Sequence, residues 1–483
     1  MKLPFLPTAL ALVVAYGATQ IAFGERIPLT GGLGTYDGRR YGEVAMDFRR
    51  EVLEDGLDAF RLQRIVPSAI VWAALGAFGL ARDRPHVIAA FLLGNLILQA
   101  LLVLLWSALG RRAGLGDRGL WLGLVLLFLS FASLKQPYFY PVLTDTPAVL
   151  LGALVLYLHL SRRAAMLFAT LLLAAFTWPA LFLSGSLLYV LDREPLAATP
   201  PPRAWNVGVA AASVALMLLV RASRLGLATG SAAAIVSLLV MAAYVFAVSR
   251  SLTATASLFD ATTWRRAVRP RRLLLVIGAF VVVQVLVASA STAPGMTVGR
   301  HLRHVFLYNA ERPGLFLLAH AVYFGPVALL VVLLWPLVRA TAWRLGLGVT
   351  AVLAFQLAHS INAESRQLVD GLPLYVLLAT LAAESVPWTV GRTWLVAALG
   401  LVASKAWLPI NRGEWGSAFE FPAQYYFMNM GPSMSRRTLL VQAAGAAAAL
   451  IVLWLSLRRA RRDLAAAALS ARTGALPPGP SRP

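Results

Sequence analysis

The chain has 483 residues, of which 59% are hydrophobic and only 13% are charged. Soluble globular chains carry about 25% charged residues, so this composition excludes a water-soluble domain. The 43 lysines and arginines outnumber the 21 acidic residues, which gives a net charge of +22, and the chain contains no cysteine. A disulfide framework and a thiolate zinc site are therefore excluded, and the placement of the basic residues must explain the net charge.

Apolar runs along the chain predict an all-α fold, a polytopic membrane bundle of about 14 transmembrane helices. The first run, 3–23, exceeds the ~7–15 apolar residues of a secretory signal, and we interpret it as an uncleaved membrane helix. The stretch 165–192 carries Trp178-Pro179 in its middle, which predicts two short helices that turn there, with one kinked helix as the alternative. The other runs cover 87–110, 119–134, 144–160, 206–220, 228–248, 273–290, 316–338, 345–360, 372–387, 394–409 and 438–457.

The run 65–81 decides the topology, because cytoplasmic loops concentrate Lys and Arg. If this run crosses the membrane, the arginine pairs at 111–112 and 162–163 lie outside. If it is a re-entrant or interfacial helix, both pairs lie inside, together with the basic segments 265–272 and 458–462. We adopt the second interpretation, which puts both termini in the cytoplasm. The basicity is then mainly a topogenic signal and an attraction to anionic lipid headgroups, and it requires no nucleic acid.

The predicted topology divides the chain into three parts. A first transmembrane module covers 1–192 and includes a long first periplasmic loop, 24–86, with interfacial helices. A tail at 464–483 is rich in Ala, Pro and Gly and is predicted to be disordered and cytoplasmic. The second transmembrane module covers 193–463, and its outer loops are 291–315, 361–371 and 410–437. The 40 arginines against 3 lysines are typical of a GC-rich bacterial genome, so we expect the bacterial inner membrane.

The first outer loop carries three acidic residues of interest. Asp37 precedes Gly38, a turn signal, and Glu43 and Asp47 are four residues apart, so on a helix they would share one face. A carboxylate just above the membrane can deprotonate an acceptor hydroxyl or bind a divalent metal ion. The alternative is an ordinary solvated surface, because acidic and basic residues are balanced in this loop.

Two further candidates lie at outer helix mouths. Asp145 follows Thr144, a candidate N-cap, and lies two residues before Pro147. An acidic residue at membrane depth is costly and therefore suggests a functional role. The alternative is a simple capping role at the helix N-terminus. Arg366 has the fork geometry that holds phosphate, and Glu364 lies beside it. Arg366 can equally pair with Glu364 or extend to the interface.

The fourth candidate is a basic segment beside the outer leaflet. Arg300, His301, Arg303 and His304 supply potentially cationic donors that suit a pyrophosphate or lipid-phosphate headgroup, with a plain interfacial anchor as the alternative. Two histidines at this spacing do not make a metal site without a third ligand.

The segment Tyr36-Asp37-Gly38 with Tyr41, followed by Thr144-Asp145 at the next outer mouth, resembles the GT-C superfamily of integral-membrane glycosyltransferases, which includes protein O-mannosyltransferases and the aminoarabinose transferase of lipid A. The resemblance implies that Asp37 is the catalytic base and Asp145 the second acidic position. It implies a polyprenyl-phosphate-linked sugar as donor and transfer on the periplasmic side. Donor-phosphate roles would fall to Arg366, Arg300, Arg303 and His301, with Glu43, Asp47 and Glu364 as supporting acids. The first loop has no Asp-x-Asp, which leaves a need for a divalent metal open.

The resulting hypothesis is a membrane glycosyltransferase whose acceptor is a lipid, a glycan or a protein. The alternatives are a transporter or flippase for a lipid-linked sugar or a hydrophobic solute, and a catalytically inactive GT-C-like protein. Transporters usually bury ionisable residues near the middle of the membrane, often at broken helices. The predicted helix centres here are almost free of charge, which favours chemistry at the outer face.

Overall fold

The computed structural model describes residues 4–34, 36–197, 203–222, 232–293, 309, 312–409, 431, 434 and 436–473. Across these ranges the chain is mostly α-helical, and the strands found there are two short ones, β1 (Leu57–Asp58) and β2 (Ser291–Ala293), which pair in parallel. The all-α class expected from the composition is therefore confirmed.

Residues 4–190 form the first ten helices of the chain. Short helical turns at Leu29–Gly32, Arg50–Glu54 and Phe131–Lys135 connect them. In chain order the helices are α1 (Phe5–Phe23), α2 (Tyr36–Met46), α3 (Ala59–Leu62), α4 (Val66–Ala77), α5 (Arg84–Arg112), α6 (Asp117–Phe128), α7 (Gln136–Phe139), α8 (Asp145–Leu160), α9 (Ala164–Ala175) and α10 (Pro179–Val190).

The second module continues the bundle. Helical turns at Ala256–Phe259 and Ser365–Gly371 interrupt it. Its helices are α11 (Arg203–Ala222), α12 (Ala232–Leu252), α13 (Ala261–Ala267), α14 (Pro270–Ala290), α15 (Leu315–Phe324), α16 (Pro326–Leu333), α17 (Trp335–Leu345), α18 (Leu347–His359), α19 (Leu372–Glu384), α20 (Val390–Ser404) and α21 (Arg436–Thr473).

Among the described residues, six helices are long and apolar enough to cross a membrane, and the number rises to eight if each of two bent helix pairs is one span. Several of these helices have apolar surfaces that the described residues leave uncovered: in α14 only 11% of the apolar window is buried. Exposing such an apolar surface to water would cost free energy, whereas the lipid tails of a membrane would bury it. The chain is therefore a multi-pass membrane protein.

Two predicted runs are broken in the structure. In the run 316–338, α15 and α16 meet at 120°, because Gly325 takes a left-handed conformation with φ of 63° and Pro326 supplies no backbone N–H to continue the helix. In the run 119–134, α6 bends by 71° into the segment 131–139. Each of these predicted runs is therefore two helices joined at a sharp bend.

The structure also describes the two segments that the sequence analysis left open. The stretch 165–192 forms the two short helices α9 and α10, which turn at Trp178-Pro179 and pack against each other. The helix α4, inside the uncertain run 65–81, has 12 residues and packs against α2 of the first outer loop. It rises roughly 18 Å, less than the ~30 Å of a bilayer core, which suits an interfacial segment.

One large apolar core runs from Phe5 in α1 to Leu457 in α21 and joins both modules. The helix α8 passes through it and packs against α5, α9, α10 and α19. Its 16 residues separate Asp145 from the opposite end by roughly 22 Å. The last helix, α21, continues to Thr473, into the segment expected to be disordered, and 474–483 lie outside the described residues.

Candidate functional site

Arg366 lies at the centre of a cluster of three carboxylates that come from distant parts of the chain. Its Nη2 donates to Asp145 Oδ2 at 3.2 Å and its Nε to Oδ1 at 3.4 Å, which is a two-pronged contact. Its Nη1 lies 3.8 Å from Asp37 Oδ2 and 3.9 Å from Glu364 Oε1. The structure thus brings together Asp37, Asp145, Glu364 and Arg366, all of them singled out in the sequence. We call these four residues the Arg366 cluster.

The three acids of the Arg366 cluster differ in burial. The side chains of Asp145 and Arg366 are 5% and 6% exposed, so their pair is shielded from solvent. Asp37 retains 21% exposure and Glu364 retains 25%. Partial burial raises the pKa of the Glu364 carboxyl, and the guanidinium of Arg366 opposes this rise. Asp37 and Glu364 are therefore the acids of the cluster that a substrate can reach, and Asp145 is the one that fixes Arg366.

Asp37 owes its position to two glycines. It lies in the first turn of α2, and Gly34 and Gly38 on either side of it pack against the ring of the buried Tyr140. A Cβ atom at either glycine would overlap that ring, and Gly34 also takes a left-handed conformation with φ of 72°. Tyr140, five residues before Asp145, therefore fixes the first turn of α2, which carries Asp37. The motif around Asp37 and the motif around Asp145 are in direct contact.

Asp145 is the first residue of α8, where the positive end of the helix dipole favours a carboxylate. It also accepts a hydrogen bond from the Tyr323 hydroxyl of α15 at 3.3 Å. Thr144 lies at the cap position, but its side chain makes no capping hydrogen bond. Three donor atoms from two distant helical segments thus converge on Asp145, which is more than a cap requires.

Arg64 is a site residue that the sequence analysis did not single out. It is buried before α4, with its guanidinium 4.0 Å from the centre of the Phe60 ring and 4.6 Å from the Trp178 ring. Its Nη2 donates to Gln367 Oε1 at 3.2 Å, next in sequence to Arg366, whereas Nε and Nη1 have no partner at hydrogen-bond geometry in the described part of the chain. Its charge also acts on the buried hydroxyl of Tyr41, whose pKa burial raises to about 12. The signal available in the sequence was an arginine four residues after Phe60, directly before an apolar run.

A second buried acid, Asp370, holds in place the tryptophan that packs against Arg64. Asp370 accepts hydrogen bonds from Trp178 Nε1 at 3.3 Å, from Ser184 Oγ at 3.3 Å and from Gln356 Nε2 at 2.9 Å. Because Trp178 also stacks on Arg64, these contacts hold the aromatic face against which the guanidinium rests.

The remaining predicted site residues lie elsewhere. Glu43 pairs with Arg39 at 2.7 Å and Arg40 at 3.2 Å on the outer surface of α2. Asp47 lies beyond the end of α2 and accepts a hydrogen bond from the Arg50 backbone, so the two acids do not share one helix face. Arg300, His301, Arg303 and His304 lie outside the described residues, as do 410–430 of the last outer loop.

Within the described ranges, no group of three or more acidic or histidine side chains is arranged to hold a metal ion. The carboxylates of the Arg366 cluster are instead directed at a guanidinium. Comparisons of the chain with protein-family models, with curated proteins and with solved structures find no match. The functional assignment therefore depends on the sequence motifs and on the geometry of this cluster.

Proposed function

We propose that the chain is a membrane glycosyltransferase, which moves a sugar from a polyprenyl-phosphate carrier to an acceptor at the outer membrane face, with Asp37 as the general base. The observation that carries the proposal is the convergence of Asp37 and Asp145 on Arg366. These are the two acidic positions that the resemblance to the GT-C superfamily selects, and they meet in the fold. Their differing exposure supports different roles, with Asp37 open to substrate and Asp145 positioning Arg366.

The reaction needs a base and a stabilised leaving group. The acceptor hydroxyl gives its proton to Asp37 while its oxygen bonds to the anomeric carbon of the sugar. The bond between that carbon and the phosphate oxygen breaks, and the polyprenyl phosphate leaves with the electron pair. Buried guanidinium donors near the phosphate would stabilise the charge that develops on it.

Arg64 and Arg366 are the described residues suited to that phosphate. Three carboxylates already offset the charge of Arg366, so a phosphate has to replace one of its contacts. Among the described residues, Nε and Nη1 of the buried Arg64 have no partner at hydrogen-bond geometry, although the Tyr41 hydroxyl lies beside this guanidinium. A phosphate could complete their hydrogen bonds. We therefore add Arg64 to the proposed phosphate-binding residues.

The proposal includes the topology expected from the charge distribution. It has about 14 crossings, both termini in the cytoplasm of a bacterium, and the Arg366 cluster on the periplasmic side of the inner membrane. A polyprenyl donor lies in the bilayer with its headgroup at the interface, where the first turns of α2 and α8 carry Asp37 and Asp145.

The test follows sugar transfer in liposomes that contain the purified protein, a panel of polyprenyl-phosphate hexoses and an envelope extract as acceptor. The readout is release of polyprenyl phosphate, quantified by mass spectrometry. Asp37→Asn should lower the release at least about 100-fold, because it removes the base but retains the shape of the side chain. Asp47→Asn is the matched control, an exposed acid of the same loop outside the cluster, and it should retain full activity.

Full activity of Asp37→Asn would refute the assignment of the base, and a strong loss in Glu364→Gln alone would transfer that role to Glu364. If no donor of the panel releases polyprenyl phosphate, but a lipid-linked sugar crosses the bilayer at the same rate with Asp37→Asn, the transporter hypothesis replaces this one.

A further inference from the structure

A cavity of about 570 Å³ lies at the end of the bundle opposite to the Arg366 cluster. It lies between the last turns of α8 and α10, the start of α9 and the segment that contains α13 and the start of α14. Its volume falls in the ~300–1,000 Å³ range of pockets for small ligands. No step of the proposed glycosyl transfer uses it.

The cavity is strongly basic. Two acids, Asp192 and Glu194, lie in its wall, and each pairs with arginines: Arg269 Nε donates to Asp192 at 2.8 Å, and Arg266 lies 3.5 Å from Glu194. Arginine residues dominate the lining, and they are Arg162, Arg163, Arg193, Arg266, Arg269 and Arg272.

Three of these arginines have no acidic partner in the described ranges. Arg193 Nη1 donates to the Leu160 carbonyl at 3.1 Å, and Arg112 Nε donates to the same carbonyl at 3.0 Å. Burial, together with the charges of Arg162 and Arg112, lowers the pKa of Arg193. Arg162 and Arg163 form no ion pair with the described chain. Cations that crowd one another without a counter-charge are stabilised by an anion bound among them.

A buried histidine and three leucines form the inner wall of the cavity. His159 is 7% exposed and lines the cavity. Its Nδ1 lies 2.8 Å from the Leu188 carbonyl oxygen, so Nδ1 carries a proton and donates it, whereas Nε2 has no partner in the described ranges. Leu158, Leu167 and Leu188 form an apolar wall beside it.

We propose that this cavity binds a ligand that carries two phosphate charges or more, at the membrane face opposite to the glycosyl-transfer site. Arg162, Arg163 and Arg193 would supply charge-assisted donors to the phosphate oxygens, and the guanidinium fork suits that geometry. A topogenic role accounts for arginines on this face, but it does not require six of them to line one cavity. The phosphate groups belong either to a lipid headgroup of the facing leaflet or to a soluble diphosphate.

Two arms of one experiment distinguish these sources with the full-length protein. In the first, inorganic pyrophosphate is titrated into the protein in a neutral detergent, and binding is measured calorimetrically. In the second, the protein is placed in phosphatidylcholine nanodiscs that contain a small fraction of cardiolipin, a lipid with two phosphates, and the retained lipid is counted by native mass spectrometry. Pyrophosphate binding assigns a soluble ligand, cardiolipin retention assigns a headgroup, and either result supports the proposal.

The variant Arg162→Gln with Arg163→Gln should weaken the observed binding about tenfold or more, because it removes two charged donors that have no structural partner. The matched control is Arg118→Gln with Arg265→Gln, which removes the same charge from exposed positions of the same face outside the cavity, and it should bind as the unmodified protein does. Failure of both probes to bind, or equal losses in the two double variants, would overturn the proposal.

Discussion

Replacing Asp145 by Asn tests whether the Arg366 cluster holds the two halves of the fold together. Asp145 and Arg366 are separated by 221 positions in the chain and form a two-pronged contact in which neither side chain is more than 6% exposed. At 3.2 Å and an effective dielectric constant of about 20, their attraction is about 5 kcal/mol. The variant no longer buries the Asp145 charge, which offsets part of this loss. We expect a net decrease of about 3 kcal/mol in the free energy of unfolding, the lower end for breaking a buried pair, because Asp37 and Glu364 remain near Arg366.

The assay is reversible unfolding of the purified protein in mixed micelles with increasing SDS, followed by tryptophan fluorescence. Combining Asp145→Asn with Arg366→Met completes a double-mutant cycle. The double variant should be less destabilised than the sum of the single ones, because it leaves neither charge of the pair unpaired. Asp37→Asn is the matched comparison: Asp37 lies at 3.8 Å and is 21% exposed, so its loss should cost less than about 1 kcal/mol.

Two results would refute this reasoning. The first is a loss for Asp145→Asn as small as that for Asp37→Asn, which would mean that burial does not strengthen the pair. The second is additivity in the cycle, which would mean that Asp145 and Arg366 act independently and that the contact contributes little.

Two further predictions concern residues around the cluster. Gly38→Ala should lower sugar transfer about 100-fold with little change in expression, since the added Cβ overlaps Tyr140 and displaces Asp37 by roughly 1 Å; normal transfer would mean that the α2 turn is free to shift. Arg64→Lys should raise the KM for the lipid donor more than it lowers kcat, because the ammonium lacks the fork and the stacked plane of the guanidinium; an unchanged KM would exclude Arg64 from the phosphate site.

The sequence predicted the helices well where a long apolar run is interrupted by a proline. Trp178-Pro179 predicted the turn between α9 and α10, because proline cannot continue a helix. Gly325-Pro326 carries the same signal, but the apolar run around it was long enough to suggest one crossing, and the break at 120° was missed. The hydropathy of a segment measures how favourably it enters lipid, and it contains no information on whether the segment bends inside the bundle.

The site was predicted in parts. Asp37, Asp145, Glu364 and Arg366 were each selected from local motifs at outer helix mouths, but their meeting was not, because local patterns carry no information on which helices pack together. Pairing of Arg366 with Glu364 was one of the open alternatives, and the structure contains it at 3.9 Å. Arg64 was missed because an arginine before an apolar run usually lies at the interface, whereas Phe60 and Trp178 provide a buried aromatic site for it here.

The Arg366 cluster also indicates the order in which its contacts would change during transfer. Arg366 is held by three acids, so a donor phosphate can bind its guanidinium only when one of them withdraws. Asp145 is fixed by the first turn of α8, by two donors of Arg366 and by Tyr323, and it is the least able to move. Asp37 makes a single, longer contact to Nη1 and is partly exposed. In the proposed reaction, the arrival of phosphate at Nη1 would release Asp37 to accept the acceptor proton, so that the base becomes available only when the donor is bound.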